Sequence, residues 1–150
     1  LYSTGMRVGE LVRLDRQDIH FDTADCIVFG KGAKEREVYL NGSAIHHLKE
    51  YLVSRTDHNP ALFVSGNSPF QRLTEHGVWQ LLQRLGQRAG IENVHPHRYR
   101  RTALTNALNR GMPLQEVQAL AGHEDVNTTL IYCTVSAENV RSSHRKYLSA

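Results

Sequence analysis

The chain has 150 residues, 40% of them apolar and 22% charged, which fits one globular domain with a real core and excludes a disordered tail or a fibre. No apolar run is long enough to cross a bilayer and no leader with a charged start and an apolar centre is present, so a cytosolic setting with no membrane partner is expected. The net charge is +3, and its distribution is uneven: residues 1–94 carry 11 Lys+Arg against 11 Asp+Glu, whereas residues 95–150 carry 7 against 4. A basic second part leans toward a polyanionic partner. Cys26 and Cys133, without a secretion leader, read as two reduced thiols. The opening Leu1-Tyr2, with no initiating Met and no helix cap, reads as the continuation of a longer protein.

In chain order, residues 1–14 predict a helix interrupted at Thr4-Gly5, with Val8, Leu11 and Val12 on its buried face. Two short β-prone runs, 27–29 and 38–40, flank Gly30-Lys31-Gly32-Ala33-Lys34 and predict a hairpin with Lys31 at its mouth. Residues 62–64, ended by Ser65-Gly66-Asn67, predict a third strand, and between them Ser43 is placed to cap a helix carrying Ile45, Leu48 and Leu52. From residue 73 the pattern is helical. Thr74 caps a helix whose Val78, Leu81, Leu82, Leu85 and Ala89 form a wide apolar stripe ended by Gly90. Pro96 opens the next, with Ala103, Leu104, Ala107 and Leu108 inward and Gly111 at its end. Pro113 starts a third that stops at Gly122, a short helix holds Tyr132, and a last one spans about 136–147. The expected architecture is α+β, mostly helical, with a small three-stranded antiparallel sheet.

His97 and Arg100 are three apart at a helix start, so an imidazole and a guanidinium share a face where free amides favour an anion. Arg7, also near a helix start, has Glu10 three residues on as an ion-pair partner. His123 follows Gly122 at a helix end, and Tyr132 lies nine residues later, one turn after Thr128 and Thr129. Each of these alone is more often surface decoration or, for the tyrosine, a half-buried core position. In order they read Thr-Gly-x-Arg-x-x-Glu-Leu, Gly-Lys-Gly, Pro-His-x-x-Arg, Leu-x-Gly-His, and a Tyr nine residues on.

This series resembles the tyrosine recombinase (phage integrase) family, which includes the Xer-type recombinases, over essentially the whole chain. The resemblance implies a catalytic domain across residues 1–150, without the upstream core-binding domain that relatives carry. It implies that Tyr132 attacks a backbone phosphorus, giving a 3′-phosphotyrosyl link and a free 5′-hydroxyl. It casts Arg7 and Arg100 as holders of the non-bridging oxygens, with His97 and His123 completing the cage and Lys31 protonating the departing 5′-oxygen. Glu10 supports Arg7. Lys34 also sits on the hairpin within reach of DNA; the family pattern puts the catalytic lysine at Lys31. Lys34, Arg36 and Arg101 are expected at DNA phosphates, Arg101 standing where the family usually has a histidine. The implied partner is a double-stranded DNA recombination site, met as a homotetramer, with the isolated domain a monomer, encoded by a bacterium, a phage or a mobile element.

Elementary chemistry agrees with that scheme. A phenol with an ordinary pKa is about 0.1% ionised at neutral pH, so deprotonation costs about 4 kcal/mol unless assisted. His97 is the better proton acceptor, because imidazoles titrate close to cellular pH. Two arginines offset the charge that builds on a phosphorane, in place of a metal. The only close histidine pairs, His46-His47 and His95-x-His97, come with no Cys-x-x-Cys, and no Walker-type loop is present, so neither metal nor cofactor is expected. Two other readings remain: a topoisomerase relaxing DNA by the same phosphotyrosine chemistry, and a helical DNA-binding protein with no catalysis.

Overall fold

Gly5 adopts φ 61°, in the left-handed region, and its amide bonds back to the Leu1 carbonyl at 2.9 Å. The first predicted helix is therefore a turn up to Arg7, and α1 covers only Val8–Arg13. A computed structural model of the chain describes residues 1–146 apart from 31, 33, 124–125, 133–139 and 142–143, with the backbone alone at Val126.

The hairpin forms as the sequence predicts, slightly longer. β1 (Asp25–Phe29) and β2 (Glu35–Tyr39) run antiparallel, with Cys26 opposite Val38 and Val28 opposite Arg36. The amide of Gly30 donates to the Lys34 carbonyl at 2.8 Å and closes the turn. Side chains alternate across a strand, so Cys26, Val28 and Val38 are buried on one face while Ile27, Phe29 and Tyr39 are exposed on the other. Arg36 belongs by register to the buried face.

The expected third strand is corrected. Among the described residues the sheet has two strands, and residues 61–64 make only isolated bridges, Asp15 with Ala61 and Val64 with Arg72. Their backbone groups are shared between two loops: the Leu62 amide donates to the Leu14 carbonyl, and the Phe63 carbonyl accepts from the Leu73 amide, both at 2.9 Å. With a different neighbour on each side, no ladder extends.

Helix α2 (Gly42–Ser54) starts one residue before the expected cap. Asn41, not Ser43, accepts from the Ala44 amide at 2.9 Å. Leu48 joins Met6, Leu14, Ile19, Cys26, Val28, Val38 and Leu62 in one core around the hairpin. Helix α3 (Glu75–Ala89) has Thr74 as N-cap and Gly90 at φ 67° beyond its end, as predicted. Its buried line is narrower than the predicted stripe. Val78, Leu82 and Gly86 face inward, while Leu81, Leu85 and Ala89 are exposed. The chain after α3 doubles back over Gly86, where an added Cβ would lie 2.6 Å from Val94 Cγ2 and 2.8 Å from the Ile91 carbonyl. That close approach fixes which face is covered.

Helices α4 (Pro96–Asn109), α5 (Leu114–Ala121) and α6 (Val126–Leu130) follow, with Pro96 in the first turn of α4 and Gly122 ending α5 at φ 61°. Leu104, Val117 and Ala121 form a second core, and Tyr132 packs into it. Tyr132 lies just past α6, not in a helix, with its amide donating to the Thr129 carbonyl at 3.0 Å. Of the expected final helix, residues 140–141 and 144–146 are helical and the rest lies outside the described residues, as does Cys133. Among the described residues no helix is long and apolar enough to cross a membrane.

Candidate active site

Arg7 occupies the N-cap of α1, one turn before Glu10. The Glu10 carboxylate takes the Arg7 amide on Oε2 at 2.6 Å and Arg7 Nη1 on Oε1 at 3.2 Å. Arg7 Nη2 donates to the Gly122 carbonyl at 3.0 Å, while 42% of its side chain stays exposed. Glu10, by contrast, is buried, which turns an apparently ordinary surface pair into an anchored one. Burial works against its charge, but the hydrogen bonds from Arg36 and the Arg7 amide and the charges of both arginines outweigh it and hold the carboxyl below its usual range.

Arg100 enters from α4 and is 4% exposed. Its guanidinium donates to the Gly5 carbonyl, to the Ala121 carbonyl at 2.6 Å and to His123 Nε2 at 3.0 Å. Burial first, then the neighbouring Arg7 and Arg36, pull its pKa down to about 10, which leaves it cationic at neutral pH. Because a guanidinium has only donors, His123 Nε2 accepts, and the ring proton sits on Nδ1, which meets Thr129 Oγ1 at 2.8 Å. Burial, followed by Arg100, Arg7 and Arg36, pushes His123 down to about 4. His123 is thus a neutral acceptor in this arrangement, and holding a phosphate oxygen requires it to exchange partners.

Tyr132 is 4% exposed, its ring stacked on that of His123 with centroids 6.1 Å apart and planes 16° apart. His97, in the first turn of α4, is exposed, its ring parallel to that of His95 at 6.4 Å. Arg7, Glu10, His97, Arg100, His123 and Tyr132 all line one open cleft of about 840 Å³. Lys31 lies outside the described residues, but Gly30 and Gly32 on either side of it line the same cleft. Arg7, Arg13 and Arg100 line the cleft against two carboxylates, Glu10 and Glu75, and Glu10 is already paired with Arg7 and Arg36, so the balance favours an anion.

The phage integrase family profile matches residues 1–139. The chain belongs to the phage integrase family. It is 43% identical over 142 residues to tyrosine recombinase XerC of Herpetosiphon aurantiacus, covering 91% of this chain and 46% of that protein. To tyrosine recombinase XerD of Oceanobacillus iheyensis it is 37% identical over 155 residues, covering 98% and 52%. It superimposes on the crystal structure of XerA recombinase with a TM-score of 0.82 at 30% identity, over 98% of this chain and 55% of that one. A second likeness, TM-score 0.77 at 27% identity, is to XerH site-specific recombinase bound to difH substrate, over 99% and 45%. The chain spans about half the length of the relatives it matches.

Of the residues expected at DNA in this member of the phage integrase family, Arg101 is exposed in a second hollow of about 500 Å³ that shares His97 and Tyr132 with the first. Lys34 is exposed at the end of the hairpin turn. Arg36 is not placed as expected. Its side chain is 12% exposed, and its guanidinium grips Glu10 at 2.6 and 2.8 Å and the Leu120 carbonyl at 3.1 Å. The alternation that buries Val38 carries the signal, because residue 36 shares its face. Sequence reasoning also missed Thr129, fully buried and accepting the Nδ1 proton of His123 in a hydrogen bond to its hydroxyl; its place one turn before Tyr132 is the only local hint. Among the described residues one set has metal-ligand spacing: the exposed His46, His47 and Glu50 of α2, whose ligand atoms lie within 4.8 Å of one another. None of the three lines the cleft.

Proposed function

We propose that this chain is the catalytic domain of a site-specific DNA recombinase that breaks and rejoins strands through Tyr132. The observation that carries this reading is the convergence of Arg7, His97, Arg100, His123 and Tyr132, contributed by separate stretches of chain, on one cleft. The names of its relatives, tyrosine recombinases and a site-specific recombinase bound to its substrate, point to the same reaction.

In this scheme the Tyr132 hydroxyl attacks the scissile phosphorus, with its proton passing to His97, the exposed imidazole at the rim of the cleft. The bond from phosphorus to the 5′-oxygen breaks, and Lys31 gives that oxygen a proton. The products are a 3′-phosphotyrosine diester and a 5′-hydroxyl. One phosphodiester replaces another, so the bond energy is retained and rejoining runs the same steps backward without ATP. Arg7 and Arg100 neutralise the charge that grows on the non-bridging oxygens, a role suited to groups already fixed by Glu10 and by buried carbonyls. Neither a metal nor another cofactor has a role in these steps. Tyr132 begins packed against His123, Leu104, Val117 and Ala121, so its ring turns outward when DNA is bound. The partner is a double-stranded recombination site, occupied by four copies of the protein, and the setting is the cytoplasm.

A DNA duplex nicked next to the scissile phosphate tests the assignment, because the short fragment diffuses away and traps the covalent intermediate. The chain is expected to form a covalent adduct that Tyr132→Phe abolishes while DNA binding persists. An adduct that survives the substitution refutes Tyr132 as nucleophile. Relaxation of supercoiled DNA with no sequence requirement would assign the topoisomerase reaction instead.

A further inference from the structure

We infer that Arg36 is a positioning residue of the cleavage site, acting through Glu10 and the Gly122–His123 turn without touching DNA; this rests on the recombinase reading above. An arginine on the core-facing side of a strand is costly unless its charge is met. Here it is met on every edge. The two carboxylate oxygens of Glu10 take Nη1 and Nη2 at 2.6 and 2.8 Å, and the Leu120 carbonyl takes Nε at 3.1 Å. Arg36 thereby ties the hairpin to both α1 and the end of α5.

The consequence passes to Arg7. The same Glu10 oxygens hold the amide of Arg7 and one arm of its guanidinium. The Arg36 stem also lies under Gly122, where a Cβ would come within 2.9 Å of Arg36 Cδ. Gly122 in turn accepts from Arg7 Nη2 at 3.0 Å and precedes His123. Arg36 therefore sets three things at once: the place of the Glu10 carboxylate, through it the reach of Arg7, and the level at which the His123 turn runs. The charged groups facing Glu10 are Arg7 on its own helix, Arg36 from β2 and, at longer range, Arg100 from α4. Removing Arg36 leaves the buried carboxylate with Arg7 alone, whose side chain is 42% exposed and meets Glu10 at the longer distance of 3.2 Å.

The experiment compares wild type, Arg36→Ala and Arg36→Lys on the nicked duplex, measuring DNA affinity against salt and single-turnover cleavage at saturating DNA from pH 5 to 8. The expected result is an unchanged salt slope with cleavage lowered by roughly 100-fold, the scale of a small misplacement of a catalytic group. The deficit deepens toward pH 5 as Glu10 takes up a proton, and Arg36→Lys, which keeps the charge but not the fork, falls in between. A simple loss of folded protein lowers every point equally and shows in the thermal melt; if the alanine variant does not fold, the lysine variant carries the comparison. Cleavage at saturation equal to wild type, with a salt slope smaller by about 0.9, would make Arg36 a phosphate contact and overturn the inference. If wild type itself forms no adduct, the recombinase reading fails on its own. The positioning role is then read from the carboxyl carbon of Glu10 by NMR titration, which Arg36→Lys is expected to move upward in pH and which an idle Arg36 would leave in place.

Discussion

His123 shows how a single side chain is tuned by its neighbours. Partial burial, followed by three arginines, keeps it neutral, with a folded pKa of about 4 against about 6.5 in an unfolded chain. As pH falls through that interval the unfolded chain takes up a proton that the folded one refuses. The contribution of His123 to stability is therefore complete above about pH 6.5 and is lost progressively toward pH 4. Urea unfolding at pH 7 and pH 5 is expected to show a falling midpoint for the wild type and a flatter response for His123→Gln. Equal slopes in the two proteins would mean that His123 is not held neutral. Glu10 acts in the same direction at lower pH: with its pKa depressed, its stabilising charge is present above the ordinary carboxylate range and lost only under more acid conditions.

Helices whose ends are written in local chemistry are legible in the sequence. Thr74 and Gly90 bracket α3, Pro96 opens α4 and Gly122 closes α5, because caps and left-handed stops depend on residues within one turn. The misread elements depend on distant partners. Residues 62–64 have strand composition but find two different loops, and Arg36 looks like a hairpin charge until Glu10, 26 residues away, and Leu120, 84 residues away, are in place. The cleft itself was legible as a list of residues, since each motif is short, but not the burial of Tyr132 or the acceptor role of His123. At α3 the contact over Gly86 gives a direct test. Gly86→Ala forces a methyl against the Ile91 carbonyl and Val94, and overpacking of this kind costs about 1–3 kcal/mol. Denaturant unfolding checks it; a variant as stable as wild type would show that the 91–94 segment yields freely.

At the scale of the whole molecule, the surplus positive charge lies in residues 95–150, and two further arginines of the cleft, Arg7 and Arg13, come from the balanced part. Folding thus gathers cations that the sequence spreads out. Each neutralised DNA phosphate adds about 0.9 to the log–log dependence of binding on salt. The 150-residue chain covers about half of its relatives, so its slope is expected to be shallower, and its affinity weaker, than those of a full-length relative such as the XerC protein on its own site. Fluorescence anisotropy across a salt series measures this, and equal slopes would place all the phosphate contacts within this half.

The turn after α6 ties two events together. Tyr132 hangs from the Thr129 carbonyl by its amide, and the Thr129 hydroxyl is what pins the imidazole beneath the phenol. In the proposed scheme, releasing the phenol would disturb the same residue that holds His123, so freeing the ring and freeing the imidazole would be coupled.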